Sequence, residues 1–275
     1  MVSSADLEQA AAWLAEADGL LITAGAGIGI DSGLPDFRGP GGFWAVYPAL
    51  GQARIPFESI ANPAAFRNDP RQAWGFYGHR LELYRQTVPH AGFGLLQGMG
   101  QRMAHGCWVF TSNVDGQFQK AGFSEQRICE IHGSIHHLQC SVGCTERIWS
   151  AADFQPRVDH EHCQLLGELP HCPHCGQLAR PNILMFGDGE WIARRTMLQY
   201  QRLEQWMAAV DRLVCIEIGA GGHIPTVRHF SENTGGRLIR INPAEPEIDP
   251  RKQQLALPLG ALDGISRLYE ACRRD

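Results

Sequence analysis

"GLLITAGAGIGIDSGLPDFRG", residues 19–39, decides how this chain is read. Residues 19–24 form a short apolar run that breaks off into Gly25-Ala26-Gly27. A run of that length, bounded by small residues, reads as a buried strand feeding a loop. Glycine lets the backbone turn sharply and lets a pyrophosphate approach its N–H groups. The spacing is G-x-G with Gly33 further on, not G-x-G-x-x-G, so an ordinary tight strand-to-helix turn explains the glycines as well. Neither reading explains the Asp36-Phe37-Arg38 that follows.

Working outward, the same kind of run recurs in "CWVFTSN" (107–113), "RLVCIEIGAG" (212–221) and "GRLIRINP" (236–243). Each ends in small or polar residues, and helical stretches separate several of them. The first helix is expected over residues 4–17, started by Ser3 with Asp6 three positions on. This rhythm predicts an α/β fold, a Rossmann-like parallel sheet with helices on both faces. Ligands bind such sheets beyond the carboxyl ends of the strands. The chemistry is therefore expected at 24–38, 111–115, 219–223 and 242–244. Two stretches break the rhythm, an aromatic helical one near 40–95 and a cysteine- and histidine-rich one near 136–182. Both read as insertions forming a smaller lobe. The expected division is 1–40, 96–135 and 183–275 for the nucleotide-binding part, with 41–95 and 136–182 for the helical module and metal ribbon.

The 275 residues are 44% hydrophobic and 19% charged, which describes an ordinary folded chain. Net charge is −5 and no basic run stands out, so nucleic acid is not an expected partner. No apolar stretch approaches the roughly 20 residues of a membrane span, so no membrane contact is expected either. The first 18 residues are acidic and amphipathic, unlike a secretory leader, and a cytoplasmic location is the expectation. Oligomeric state is not legible.

Nine cysteines favour metal over disulfides, because four fall in two close pairs. Cys140 and Cys144 are spaced C-x3-C, and Cys172 and Cys175 C-x2-C, with 27 residues between the pairs. Four thiolates in two turns suit a closed, structural Zn2+ site, one per chain. Cys163, His171 and His174 are competing ligands. Cys107, Cys129, Cys215 and Cys272 read as small buried hydrophobes. His136 and His137 read as surface of this lobe.

"GAGIGIDSGLPDFRG" resembles the nucleotide loop of the sirtuins, which reads GAGIS, two variable residues, then SGIPDFRG; only Gly29 and Leu34 depart from it. "TSNVD" (111–115) is similar to the sirtuin TQN(I/V)D, "EIHGS" (130–134) to LHGS, "RPNILMFGD" (180–188) to RPxVVxFGE, and "INP" (241–243), which opens the loop expected at 242–244, to the late loop holding the adenosine ribose. The resemblance covers most of the chain, in the family's order and spacing.

It implies an NAD-dependent protein lysine deacylase. The acyl carbonyl oxygen displaces nicotinamide from the ribose, a base activates a ribose hydroxyl, and acyl-ADP-ribose leaves with free lysine. By resemblance, His132 is the base and Asn113 joins it in catalysis. NAD would be held by Gly25, Ala26, Gly27, Asp36, Phe37, Arg38, Ser112, Asn113, Val114, Asp115, Gly219, Ala220, Gly221 and Asn242. Phe37 would shield the sugar centre from water, and Arg38 would lie near phosphate and ribose. An unperturbed imidazole pKa near 6.5 suits proton transfer at neutral pH. The alternative for His132 is a histidine that merely caps the loop before Gly133. Leu184, Phe186 and Gly187, within "ILMFGD", are expected to form an edge pairing with the backbone of the acyl-lysine protein or peptide.

Tyr77 and Arg80 form Y-x-x-R on a predicted helix and so share a face. Ala61 lies 16 residues before Tyr77. This resembles the sirtuin branch that removes succinyl, malonyl and glutaryl groups, where Tyr and Arg bind the distal carboxylate and a small Ala leaves room. The alternative is an aromatic helix face carrying a solvated Arg. The pattern also departs from the family. Ser112 replaces Gln, Gln117-Phe118 replaces Leu-His, and Gly219-Ala220-Gly221 replaces Gly-Thr-Ser. Two hydroxyls near ribose and phosphate are lost, and His223 is the candidate to compensate. ADP-ribosyl transfer to protein, NAD hydrolysis, and non-catalytic binding of NAD or acyl-lysine are the rival readings.

Overall fold

In the computed structural model, residues 3–35 and 39–274 are described; Asp36, Phe37 and Arg38 lie outside them. Helix α1 (Ser4–Glu16) leads into β1 (Gly19–Ala24) and a 3-10 turn (Ala26–Ser32). Six helices follow: α2 (Gly39–Val46), α3 (Pro48–Gln52), α4 (Phe57–Ile60), α5 (Pro63–Asn68), α6 (Pro70–Gln86) and α7 (Gly92–Gly100). Then come β2 (Cys107–Thr111), α8 (Gln117–Lys120), β3 (Ile128–Glu130), β4 (Gly133–Cys140), β5 (Trp149–Ser150), β6 (Val158–Asp159), β7 (Gln164–Leu165) and β8 (Ala179–Ile183). The chain closes with α9 (Arg194–Met207), β9 (Leu213–Ile218), α10 (Thr226–Glu232), β10 (Arg237–Ile241), β11 (Gln254–Leu257) and α11 (Ala261–Ala271).

The α1 start is the predicted one. The Ser3 hydroxyl accepts the Asp6 amide while the Asp6 carboxylate accepts the Ser3 amide, which closes a capping box. The four expected strands all join one six-stranded sheet in the order β11-β10-β9-β1-β2-β3, every pair parallel. β1 sits inside the sheet and is buried along its whole length, which is why it reads as a continuous apolar run. Two members were not expected. β3 is three residues long, and β11 is a half-exposed outer strand, so neither carries a run that stands out.

Apolar side chains cover both faces. One core joins Leu20, Ile22, Val109, Ile216 and Ile239 to α1, α7 and α11; the other joins Leu21, Phe110, Cys215 and Leu238 to Leu203 and Trp206 of α9. Arg240 is buried between the strands, with Nε 2.6 Å from Glu217 and Nη2 2.6 Å from Glu232, so its charge is paired on two sides.

A second core gathers the helical module and the cysteine-bearing strands. Trp74, Phe76, Tyr77 and Leu81 of α6 meet Phe43, Phe66, Leu138, Leu165 and Ile183 there. α6 begins as its sequence dictates, with Asp69 accepting the Gln72 amide and Pro70 in the first turn. β4 pairs antiparallel with β5 and β8 in a three-stranded sheet. β6 and β7 form a hairpin so close to α6 that a Cβ on Gly75 would fall 2.1 Å from the Cys163 carbonyl oxygen.

The two loops that leave β1 and β9 lie in backbone contact. Gly219 has φ +61°, and a Cβ there would fall 2.5 Å from the Gly27 carbonyl carbon. Gly33 also has a positive φ, +82°, but no described residue lies within 4 Å of a Cβ there. Gly219→Ala is therefore expected to lower stability by at least ~2 kcal/mol, strain and overlap together, against about 1 kcal/mol for Gly33→Ala, which meets strain alone. Urea denaturation of the two variants measures the difference.

Candidate active site

Because every strand of the main sheet is parallel, the carboxyl ends of β1, β2, β3, β9 and β10 share one edge. Hydrogen bonds knit the segments leaving that edge. The Gly25 amide donates to Ile218 O at 3.0 Å and the Gly27 amide to Gly219 O at 3.0 Å. Ser112 donates its amide to Ala24 O, and the Thr111 hydroxyl donates to the same oxygen at 2.9 Å. Asn113 Nδ2 donates to Gly25 O at 3.1 Å. Asn242 Nδ2 donates to Ala220 O at 2.9 Å, while its Oδ1 accepts the amides of Ala244 and Glu245. The glycines thus do more than leave room for phosphate: Gly25, Gly27 and Gly219 let two loops touch. Asn242 is fully buried and its side chain holds one loop to another.

The turn carrying His132 is gripped on several sides. Ile131 donates its amide to Thr111 O, and His132 O accepts the Leu184 amide at 2.9 Å. Gly133 has φ +79°, and a Cβ there would fall 2.1 Å from Asn182 O. The imidazole is half-buried, and among the described residues it has no hydrogen-bond partner. Burial pushes its pKa below the ordinary histidine value, so the neutral form is the resting one at pH 7.

Val114 and Asp115 are buried and Ser112 and Asn113 half-buried on the neighbouring loop. Asp115 Oδ1 accepts the Gln117 amide at 2.9 Å. Burial nevertheless raises the carboxyl pKa to about 6. Gln117, one of the departures from the expected pattern, is buried and donates Nε2 to Tyr84 O, tying α8 to the end of α6. His136 is not a surface residue, as expected above. It is half-buried with Nε2 2.9 Å from Asp115 O, and a Cβ on Gly116 would fall 2.7 Å from its ring. His137 is also half-buried, and burial pushes its pKa down to about 4.

On the lobe side, Ala61 ends α4, is buried, and accepts the Phe186 amide through its carbonyl at 2.9 Å. Phe186 packs edge-on to Phe57. β8 stops at Ile183, so Leu184–Phe186 is not strand, and all three of its amides are engaged internally, by His132 O, Asp188 Oδ2 and Ala61 O. Leu184 and Gly187 are exposed. The segment is pinned by a pair the sequence reading missed: Arg180 and Asp188, both fully buried, joined by two bonds of 2.8 Å. An Arg and an Asp bracketing a largely apolar heptapeptide were the available signal.

Tyr77 and Arg80 do share a face of α6, with the guanidinium carbon 5.9 Å from the Tyr77 ring centre. It also lies 5.2 Å from Phe76 and 5.4 Å from Tyr84. Arg80 Nε and Nη2 both donate to the Tyr84 hydroxyl, at 2.9 and 2.7 Å. Arg80 is 9% exposed, so the solvated-arginine alternative does not hold.

Cys140, Cys144, Cys172 and Cys175 converge, their sulfurs all within 4.8 Å of one another. Cys140–Cys175 and Cys144–Cys172 are 3.7 and 3.6 Å apart, and none is in a disulfide. Four sulfurs around zinc at 2.3 Å would sit about 3.8 Å apart, so this cluster fits a structural Zn2+. Of the competing ligands, Cys163 packs in the helical core and His171 Nδ1 lies 3.0 Å from Gly176 O. His174 stands beside the cluster, with Nδ1 3.7 Å from Cys144 Sγ. Cys129 and Cys215 are buried as expected, whereas Cys107 and Cys272 are only partly buried at the core margin.

The Sir2 family signature matches residues 25–221. The chain belongs to the Sir2 family. It is 31% identical over 253 residues to the NAD-dependent protein deacylase of Thermococcus kodakarensis, covering 89% of this chain and 87% of that one. With the Thermus thermophilus protein of the same description it shares 28% over 279 residues, covering 98% and 96%. A solved Sir2 homologue in complex with NAD superposes with a TM-score of 0.73 at 25% identity, over 97% of this chain and 94% of that one.

Set against the family pattern, the loop after β9 has a carboxylate where hydroxyls were expected nearby: the Gly222 amide donates to Glu245 Oε2 at 2.6 Å, and Arg228 lies 3.3 Å from the same oxygen. His223 is largely exposed and faces Glu58 of α4 at 3.7 Å.

Two outcomes follow from this geometry. Cys175→Ser should lose the single bound zinc per chain, read by metal analysis, together with a cooperative melt of the cysteine lobe. Asp115→Asn should raise stability at pH 7. A folded pKa of about 6, above the unfolded value near 4, makes ionisation cost more in the folded state. That penalty enters as pH rises through this window and is complete above it. The gain should be about 1–3 kcal/mol at pH 7 and vanish below pH 4, checked by denaturation at both.

Proposed function

We propose that this chain is an NAD-dependent protein lysine deacylase that favours acyl groups ending in a carboxylate. One observation carries the reading. His132 O is bonded to Leu184, Phe186 is bonded to Ala61, and the His132 turn shares its sheet edge with the glycine loop that Asn113 clasps. Base, nucleotide loop and peptide-facing segment are thus parts of one hydrogen-bonded assembly.

The residues at that edge suit a dinucleotide. Exposed Ala26 and half-buried Gly221 and Asn113 lie on loops that leave this edge, with buried Asp115 behind them. Bound NAD supplies a ribose carbon activated by its leaving nicotinamide. His132, neutral because of burial, accepts the proton of a hydroxyl at its free ring nitrogen. Asn113 holds the loop against β1 and offers its amide to ribose or carboxamide. Leu184 and Gly187, exposed beside Ala61, offer backbone to an extended peptide.

For the acyl group, Arg80 supports the finer reading. Its guanidinium lies among the aromatic rings of α6, where a carboxylate finds a charge-assisted bond in a dry setting. Ala61, buried at the end of α4, would leave room for the acyl group because its side chain is small. A short neutral acyl group makes no such bond.

The test incubates the protein with NAD and matched acetyl- and succinyl-lysine peptides and identifies products by mass spectrometry. Acyl-ADP-ribose is expected, faster from the succinyl peptide, and absent with His132→Ala. Arg80→Met should lower kcat/KM for the succinyl peptide roughly 10- to 100-fold and leave the acetyl peptide nearly unchanged. ADP-ribosylated protein, or free ADP-ribose formed without peptide, would overturn deacylation. Equal loss on both peptides would remove the acidic-acyl pocket.

A further inference from the structure

We propose that Thr196 and Gln199 of α9 are positioning residues for His132. The inference rests on His132 acting as the base. Among the described residues, β3 is the outer strand of the main sheet and pairs only with β2. On the β2 side, the segment leaving β3 is held by the Ile131 amide on Thr111 O. The N–H and C=O of Glu130 point the other way, where no strand follows. An unpaired strand edge at that depth must be satisfied or covered.

α9 provides the partners. The Glu130 amide donates to Gln199 Oε1 at 3.1 Å, and the Thr196 hydroxyl donates to Glu130 O at 3.0 Å. Both side chains are 4% exposed. The Glu130 carboxylate is fixed to the same helix, with Oε2 2.5 Å from Arg195 Nη2. The buried stripe of α9 runs Thr196, Gln199, Leu203, Trp206. Its second half is apolar and packs on the sheet face; its first half is polar where an apolar stripe would serve packing alone. The polar half sits opposite Glu130, whose backbone N–H and C=O have no strand partner on that side among the described residues. Two side chains therefore stand in for a seventh strand over the last residue of β3, two positions before His132. Releasing them lets the imidazole drift, and small misplacements of a catalytic group cost rate more than binding.

The experiment compares Thr196→Val and Gln199→Met, each close to isosteric, with Thr196→Ser. Turnover of an acyl-lysine peptide is measured at saturating NAD and peptide, and NAD affinity separately by calorimetry. Thr196→Val and Gln199→Met are expected to lower kcat about 10-fold or more while NAD affinity stays within about 2-fold. Thr196→Ser, which keeps the donor, is expected to restore turnover. Wild-type kcat in the two isosteric variants, or an equal fall in kcat and NAD affinity, would overturn the inference. If one isostere does not fold, the other decides. His132→Ala separates the two layers: full activity in that variant refutes the base itself, whereas an inactive His132→Ala beside an unimpaired Thr196→Val refutes only the positioning.

Discussion

The contact on which this site depends is a crossing of two backbones. Gly25 and Gly27, leaving β1, lie directly against Gly219, leaving β9, and a methyl group at any of the three would overlap main-chain atoms of the opposite loop. Side chains cannot enter such a contact, and water has no room in it. The polar groups involved must therefore bond each other, and they do, through the Gly25 and Gly27 amides and the carbonyls of Ile218 and Gly219. The result is a pair of loops whose spacing is fixed by bond lengths rather than by packing of flexible groups. A ligand held there meets a surface that is already formed.

How much of this the sequence disclosed varied with the physics involved. The four buried strands were legible because full burial demands an unbroken apolar run, and the same glycines that end two of the runs mark the crossing. The four-cysteine cluster was legible because chelation needs two closely spaced pairs. What stayed hidden was polar and long-range. Nothing local says that Asn242 spends both ends of its amide on Ala220, Ala244 and Glu245, or that His136 reaches back to Asp115. β3 escaped notice because three residues carry no period. The Arg180–Asp188 pair was visible as letters, but only burial of both charges shows that it shapes the segment beside Ala61. The assignments of Asp36, Phe37 and Arg38 stay as the resemblance implies them.

The helical module is coupled to the sheet through polar contacts, not only through its aromatic core. Gln117 holds Tyr84 O, Asp115 sits close enough to feel the Arg80 charge, and the Ile135 amide donates to Val114 O. The loop after β2 thus touches the glycine loop at Asn113 and the end of α6 at Gln117, four residues later. Any shift of α6 is transmitted to that loop by direct bonds. Gln117-Phe118, a departure from the usual family pair, is in this light a structural substitution: Phe118 joins the main core and Gln117 reaches the end of α6.

On the proposed reading, Arg80 would place acyl preference in the lobe and not in the sheet. Removing a guanidinium from water is costly, and the rings of Phe76, Tyr77 and Tyr84 with the Tyr84 hydroxyl are among the groups that offset the loss. Aliphatic neighbours would recover less, and α6 presents Phe76, Tyr77 and Tyr84 instead. Burial also raises the Tyr77 and Tyr84 pKa values, so both phenols stay protonated and none competes as an anion for the guanidinium. A carboxylate entering beside them meets a cation in surroundings that screen the attraction weakly, and donors that are already oriented. A methyl group entering the same space gains contact area but gives the charge nothing. On the proposed reading, discrimination between the two would be set by the charge that α6 keeps buried, and the edge carrying His132, acting on an amide common to both, would have no need to distinguish them.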